Sequence, residues 1–295
     1  MQGFLLVDKP SGITSFGAVA RIKRLANEKR VGHTGTLDPM ATGVLPIFIG
    51  KATALSSYLA ESDKKYVATV RLGLTTDTDD VTGNIIATSK VGVSDDDVIS
   101  ALSGFKGRVR QTPPVYSAIK QNGVRMYRLA RQGLDVKAPE REVEIKDISL
   151  ISGLDEQNEF SFSATVSKGT YIRSLARDIG ETLGCGATLS RLKRTFVSNF
   201  DIKDAVPLDS LTSENIKEYI KNEADALPFL TSIGVTEKQA VRFANGGELS
   251  LDRLNANGLC DRQIIKVFFG NTFIGLGIVS FEKQMLLIKC NINRP

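Results

Sequence analysis

The sequence holds one histidine, no tryptophan and three cysteines. Each scarcity excludes something. A lone His33 argues against zinc catalysis and leaves no second histidine to act as a general base, so acid–base work must fall to Asp, Glu, Tyr, Lys or water. Cys185, Cys260 and Cys290 are few, odd in number and far apart. They suggest neither a disulfide framework nor a CxxC metal site and fit reduced thiols in a cytoplasm. No stretch approaches membrane-spanning length. The apolar run at the N-terminus is too short for a signal segment and has no basic residues before it. A soluble, cytoplasmic protein is expected. Nucleotide motifs are missing too. Gly50-Lys51 is followed by Ala and has no glycine five residues upstream, so it fails the phosphate-loop pattern. Gly275 and Gly277 lie in a strand pattern with no third glycine and no following helix. No internal repeat or low-complexity tract occurs.

What is present is a chain of 295 residues, 42% hydrophobic, with a net charge of +5 and a pI of about 9.0. That length accommodates one large domain, or a large one and a small one. The charge permits an anionic partner without demanding one.

The stretch from Gly32 to Pro46 (GHTGTLDPMATGVLP) centres on one carboxylate, Asp38. Glycines 32, 35 and 43 remove side chains around it, so a bulky ligand can approach the backbone. Pro39 biases Asp38 toward an extended or turn conformation. Val44–Ile49 is apolar enough for a buried strand. By itself, an Asp-Pro turn is the ordinary reading of such a segment.

Around it the pattern predicts further elements. Residues 3–7 form a short buried strand that ends in the breakers Pro10, Ser11 and Gly12. Ser15 caps a helix to about 27, and 51–60 is a second helix. Residues 64–73 form a strand. Asp77, Asp79 and Asp80 begin like a calcium loop, but the spacing is wrong and no Glu closes it, so this is a polar loop. Residues 95–103 form a surface helix. From Lys106 to Arg131 seven basic residues occur without one acid, with Tyr116, Tyr127, Pro113 and Pro114 among them. Such a segment suits a clamp on a phosphate backbone with rings for stacking; its plain alternative is a solvated surface arm.

Residues 141–152 and 159–167 are paired strands. Thr170 is placed to cap a helix. Ile172, Leu175, Ala176 and Ile179 form its apolar stripe, with Arg173 and Arg177 sharing the other face. An arginine in the first turn opposes the helix dipole, so Arg173 calls for a carboxylate, and Asp38 is the obvious candidate. Residues 189–197 form a basic strand, and 201–225 turn acidic and helical. A boundary falls near 231. Beyond it a helix at 235–244 and strands at 264–269, 273–280 and 286–289 suggest a compact β-barrel-like module.

Taken together, these residues resemble the TruB family of tRNA pseudouridine synthases. Gly32–Leu45 resembles its signature, and Lys9–Ser15 its N-terminal motif. Lys65-Tyr66, Arg71-Leu72-Gly73 and Thr76–Asp79 resemble the next motif. Pro113–Lys120, Gly123 and Tyr127–Arg131 resemble its RNA-gripping insertion, and Gly169–Ala176 its arginine motif. The C-terminal module is similar to a PUA domain more by position than by motif.

The resemblance implies an α+β fold: a mixed, largely antiparallel sheet flanked by helices, with an active cleft across its middle. Residues 1–230 would form the catalytic domain, with the basic insertion at about 106–135, and 231–295 a PUA-like RNA-binding domain. The implied reaction is isomerisation of uridine to pseudouridine at position 55 in the T-arm loop of tRNA, on a base flipped into the pocket. It needs no redox, metal or energy cofactor, and no protein partner. A monomer is expected, because no apolar stripe is left over.

Under this resemblance Asp38 is the essential catalytic acid, the atom it attacks being left open. Arg173 holds it ionised and oriented. Tyr66 stacks on the uracil and could remove the C5 proton. Tyr171 and Leu192 wall the pocket, though core packing explains Leu192 nearly as well. His33 aids the flipped conformation, and Gly35 and Thr36 line its approach. Lys9 orders the loop or touches phosphate. Arg108, Arg110, Arg125 and Arg128 grip the RNA. Two rival readings are a guide-RNA-dependent pseudouridylase and an RNA-binding protein in which catalysis is secondary.

Overall fold

The computed structural model describes all residues except 61, 117–119, 122–123, 127–137, 256–257 and 294–295, and gives the backbone alone at 60, 120–121 and 124–125. Strands run in chain order as β1 (Gly3–Lys9), β2 (Val31–His33), β3 (Thr42–Ile49), β4 (Lys64–Leu72), β5 (Leu74–Thr76), β6 (Ile85–Thr88), β7 (Gly107–Gln111), β8 (Lys120–Gln121), β9 (Val124–Arg125), β10 (Arg141–Ser152), β11 (Glu159–Val166), β12 (Ala187–Val197), β13 (Phe200–Asp201) and β14 (Val206–Pro207). The last five are β15 (Ser232–Gly234), β16 (Leu249–Ser250), β17 (Ile264–Phe269), β18 (Thr272–Ser280) and β19 (Met285–Asn291). The described helices are α1 (Ser15–Leu25), α2 (Ser56–Ala60), α3 (Asp95–Gly104), α4 (Ile172–Thr182), α5 (Ile216–Tyr219) and α6 (Glu237–Ala244).

One ten-stranded sheet dominates, in the order β14-β1-β3-β12-β4-β11-β10-β7, with β2 beside β3 and β13 beside β12. Only the β1/β14 and β3/β12 pairs are parallel. The expected mixed, largely antiparallel sheet is therefore observed. Its sidedness follows from the period-2 pattern of the strands. In β11, Phe160, Phe162, Ala164 and Val166 are buried, and the residues between them are only partly covered. The apolar run of β3 is buried on both faces: Leu45, Ile47 and Ile49 join one core, Val44 and Phe48 another.

The first core is roofed by α1, α3 and α4 through Ile22, Leu102, Leu175 and Ile179. The second packs Phe4, Leu6 and Phe48 against Phe273, Leu276 and Ile292 of the C-terminal region. Phe4 lies with ring centroids 5.9 Å from Phe48 and 5.3 Å from Phe200. Each large side chain removed from water in this way contributes roughly 1.5–3 kcal/mol, which holds the C-terminal strands against this face.

Several local predictions change. Thr14, not Ser15, caps α1, accepting from Gly17 N at 2.9 Å; Ser15 is instead buried under the Asp38 loop. Residues 51–60 split into a 3₁₀ turn (Gly50–Leu55) and the short α2. Residues 201–225 are mostly 3₁₀ turns around the one-turn α5, because Pro207 and polar breakers interrupt the helical pattern. The C-terminal strands form a five-stranded sheet, β15-β17-β18-β19-β16, whose two edge strands do not pair among the described residues. It is a half-barrel, not a closed barrel.

Candidate active site

Asp38 sits in the loop between β2 and β3, and that loop is pinned from below. The Ser15 hydroxyl accepts from Leu37 N at 2.8 Å and donates to Leu37 O at 3.0 Å. Lys9, fully buried, donates to the carbonyls of Pro10, Ile13 and Pro39 at 2.9, 2.8 and 3.3 Å. Gly12 N donates to Pro39 O at 2.8 Å and Ser11 Oγ to Met40 O at 3.0 Å. The backbone on either side of Asp38 is thus fixed by main-chain and buried side-chain bonds, which hold a carboxylate in place at little entropic cost on binding. Burial pushes the Lys9 ammonium down to about 8, against the pull of Asp38.

The partner comes from the start of α4. Arg173 Nε lies 2.9 Å from Asp38 Oδ2, off the line of a hydrogen bond, and Nη2 donates to Oδ1 at 3.4 Å. The same guanidinium donates to Thr78 O and Tyr116 O, both at 3.0 Å, and approaches Asp80 at 3.7 Å. Thr170 does not cap this helix. Tyr171 occupies the capping position and makes no side-chain cap; the Gln111 amide holds its backbone. Its Nε2 donates to Tyr171 O at 3.0 Å, and its Oε1 accepts from Tyr171 N at 2.8 Å. Ser174 Oγ donates to Thr112 O at 2.8 Å, which ties the next residue of α4 to the same segment.

The loop read as merely polar braces the arginines. Asp80 accepts from Thr78 Oγ1 and from Thr82, and faces Arg173. Asp79 takes Arg177 at 2.9 Å. Its φ is +60°, a left-handed conformation that Asp tolerates better than most residues. Burial raises the Asp79 carboxyl to about 6, although Arg177 and Arg173 pull it down.

Above the Asp38–Arg173 pair lies a cleft of about 340 Å³, near the lower end for small-ligand sites. Tyr66, Tyr171, Leu192, Gly35 and Thr36 line it, as expected, and so do Arg141 and Arg194. A larger groove of about 1130 Å³ is bounded by Lys65 and Val67, on the opposite face of β4 from Tyr66. Its described lining contains no paired carboxylate and guanidinium, whereas the smaller cleft has the Asp38–Arg173 pair.

Some expected residues stand elsewhere. His33 does not line the cleft. Its Nδ1 accepts from Gly35 N at 3.2 Å, and burial, then Arg194, push its imidazole below the usual 6.5. It braces the loop through this bond. Lys9 orders the loop, but its buried ammonium offers nothing to a phosphate. Arg108 and Arg110 project from β7 into solvent, with Glu142 of β10 and Glu140 just before it at 3.6 and 3.5 Å. The acid-free run in sequence is therefore not acid-free in space. The Arg125 side chain and all of Arg128 lie outside the described residues. Gly43 serves the fold: its φ is +107°, and a Cβ there would sit 2.1 Å from Arg194 O. Gly32 lies within β2, so of the three glycines only Gly35 borders the cleft. Gln111, Arg141 and Arg194 are additions that the sequence reading did not single out, and Asp80 stands there only as part of a polar loop.

The family model described as TruB family pseudouridylate synthase (N terminal domain) matches residues 23–172, and the tRNA pseudouridylate synthase B C-terminal domain matches 173–231. A Clostridium kluyveri protein named tRNA pseudouridine synthase B is 41% identical over 278 residues, covering 94% of this chain and 96% of the relative. A Clostridium perfringens protein of the same name is 38% identical, with 98% and 100% covered. Among solved structures, a Cbf5–Nop10–Gar1 complex aligns with a TM-score of 0.74 at 26% identity, over 99% of this chain and 84% of that one.

Proposed function

This chain belongs to the TruB family of pseudouridylate synthases, and from that membership we propose that it isomerises uridine to pseudouridine at position 55 in the T-arm loop of tRNA. The observation that carries the reading is one partly exposed carboxylate, Asp38, locked to the buried Arg173 at the floor of a cleft walled by Tyr66, Tyr171 and Leu192. The target base is packed inside a folded loop, so it must leave the stack to reach that floor. The N1–C1′ bond breaks, the uracil turns, and C5 bonds to C1′. C5 loses a proton and N1 gains one, so the product is an isomer of the substrate. Asp38 drives the exchange as the reacting carboxylate. Arg173 pairs with it and aims it. Tyr66 lies against the ring and takes part in proton removal at C5, where no histidine is available.

The C-terminal half-barrel, from about residue 231, is read as a PUA-like RNA-binding domain following a catalytic domain of 1–230. The protein is read as a cytoplasmic monomer; no described helix is long and apolar enough to cross a membrane.

A second reading is a guide-RNA-dependent enzyme, favoured by the structural likeness to the Cbf5 complex. One assay tests both. Wild type should release tritium from 5-tritiated uridine in a naked T-arm stem-loop, with no guide RNA or protein partner. Asp38→Asn should release none above background while binding the stem-loop within about threefold of wild type. Turnover by the Asn variant would remove Asp38 from its role, and a wild type that needs a guide RNA would favour the second reading.

A further inference from the structure

Arg141 has no part in that assignment, yet it forms one wall of the cleft. It opens β10, and its backbone pairs with Gln111 of β7, the residue whose side chain holds Tyr171. Its guanidinium lies over the Tyr171 ring, 4.8 Å from the centroid. This cation–π contact fixes the plane of the charge. Gly169 lies beside it, a glycine called for by the backbone and not by the arginine. That residue has φ of +86°, and a Cβ there would stand 3.4 Å from Arg141 Nη1.

The other arginines of the cleft have partners, although Arg173 Nε faces Asp38 without a hydrogen bond. Arg173 has Asp38 and two carbonyls; Arg194 donates to Val44 O at 2.8 Å and to Gly35 O at 3.3 Å. Arg141 is different. Its Nε and Nη2 are shut from solvent with no hydrogen-bond partner, and no carboxylate of the described residues pairs with it. Nη1 is not among these closed-off atoms, so the guanidinium meets the cleft through Nη1, and an anion entering there finds a charge of fixed plane that no carboxylate of the described residues neutralises.

On the functional reading above, the ligand is a flipped uridine nucleotide. Its base is neutral, and its only anionic groups are the phosphates of its backbone. We propose that Arg141 clamps a phosphate flanking the flipped uridine, fixing the sugar while the uracil turns over Asp38. It is a substrate-binding residue for the backbone, distinct from the pair that meets the base.

The test is a cycle of protein and substrate changes. Stem-loops carry a neutral methylphosphonate at the phosphate 5′ or 3′ of the target, and each is measured with wild type and Arg141→Gln by both kcat/KM and Kd. At one of the two positions, wild type should lose about 10- to 100-fold in kcat/KM and at least about 5-fold in Kd. Arg141→Gln should show those losses on the unmodified stem-loop, with less than about twofold added by the methylphosphonate. Equal methylphosphonate penalties in both proteins at both positions would overturn the clamp; a residue that only props Tyr171, or one that meets a uracil oxygen, gives that result. If Arg141→Gln does not fold, Arg141→Lys carries the cycle. It keeps a point charge without the fork, so its methylphosphonate penalty must be smaller than that of wild type, and a penalty of wild-type size overturns the proposal. The Kd cycle needs no turnover. An enzyme inactive on the unmodified stem-loop would therefore sink the functional reading, while the phosphate clamp would still be decided by binding.

Discussion

Arg173 holds Asp38 and is itself held from behind. Its side chain is 6% exposed, like that of Asp80, whereas Asp38 is 34% exposed. The guanidinium thus joins two carboxylates of different standing. Asp38 opens onto the cleft, while Asp80 is shut away and serves the arginine. Two carbonyls, Thr78 O and Tyr116 O, complete the grip. A lysine cannot span these four partners, because its charge sits on one nitrogen. Arg173→Lys should therefore lower kcat by about 100-fold or more, the loss typical of a misplaced charge-stabilising group. Affinity for the stem-loop should stay within about threefold, since Arg173 is buried. Single-turnover tritium release and filter binding separate the two effects. A variant that loses affinity and keeps its rate would place Arg173 on the RNA surface instead.

Asp79, one residue earlier, makes stability depend on pH. Burial raises its carboxyl from 3.8 to about 6. A raised folded value means that the folded protein binds this proton more tightly than the unfolded chain does. The associated stability is full below about pH 4 and is lost as pH rises through about 6, by at most about 1.4 kcal/mol per pH unit. Asp79→Asn keeps a residue that tolerates the positive φ and removes the titration. In urea unfolding at pH 4, 5, 6 and 7, the variant should gain on wild type as pH rises. Parallel curves would mean that Asp79 does not titrate in this window.

Much of this site is legible in the sequence, for physical reasons. The strands announce themselves by alternation, and an arginine in a helix's first turn asks for an acid. The pairing of Arg173 with Asp38 follows from chemistry, although the two lie 135 residues apart. What brings Gln111 to Tyr171, or Arg141 over its ring, is strand register. Register is set by whole-sheet packing and leaves no local signature. The same limit misreads the basic segment. Counting charges along the chain finds no acid near Arg108 or Arg110, but antiparallel pairing with β10 places a glutamate beside each. The glycines mislead in the other direction: Gly43 suggests room for a ligand, and the room is taken by the backbone of Arg194.

Lys9 separates positioning from contact. Its ammonium ties Pro39 O of the Asp38 loop to Pro10 O and Ile13 O of the turn before α1, and does not reach the cleft. Lys9→Met fills similar volume but leaves those carbonyls without donors, at a cost of about 1–3 kcal/mol for each group that stays buried and unpaired. We expect a stability loss of about 2–4 kcal/mol in urea unfolding. Turnover should fall because the loop loses its anchor, and KM for the stem-loop should change less than about threefold. A KM that rises tenfold at unchanged kcat would show that the ammonium meets RNA phosphate after all.

The glutamates beside Arg108 and Arg110 allow a test of opposite sign. Both pairs are exposed, at 3.6 and 3.5 Å, and such pairs contribute little to stability. Their effect on an RNA partner can be larger, because each glutamate competes with phosphate for its arginine. If β7 faces the substrate, the double change Glu140→Gln and Glu142→Gln frees two cations. Binding of the stem-loop should tighten about 2- to 5-fold at low salt, and the slope of log K against log salt should steepen by about 1–2. Arg108→Gln with Arg110→Gln should flatten the same slope by a similar amount. Opposite shifts from the two double variants would place β7 in the RNA's field, since loss of fold cannot tighten binding. A slope that neither pair moves would leave this edge strand facing water.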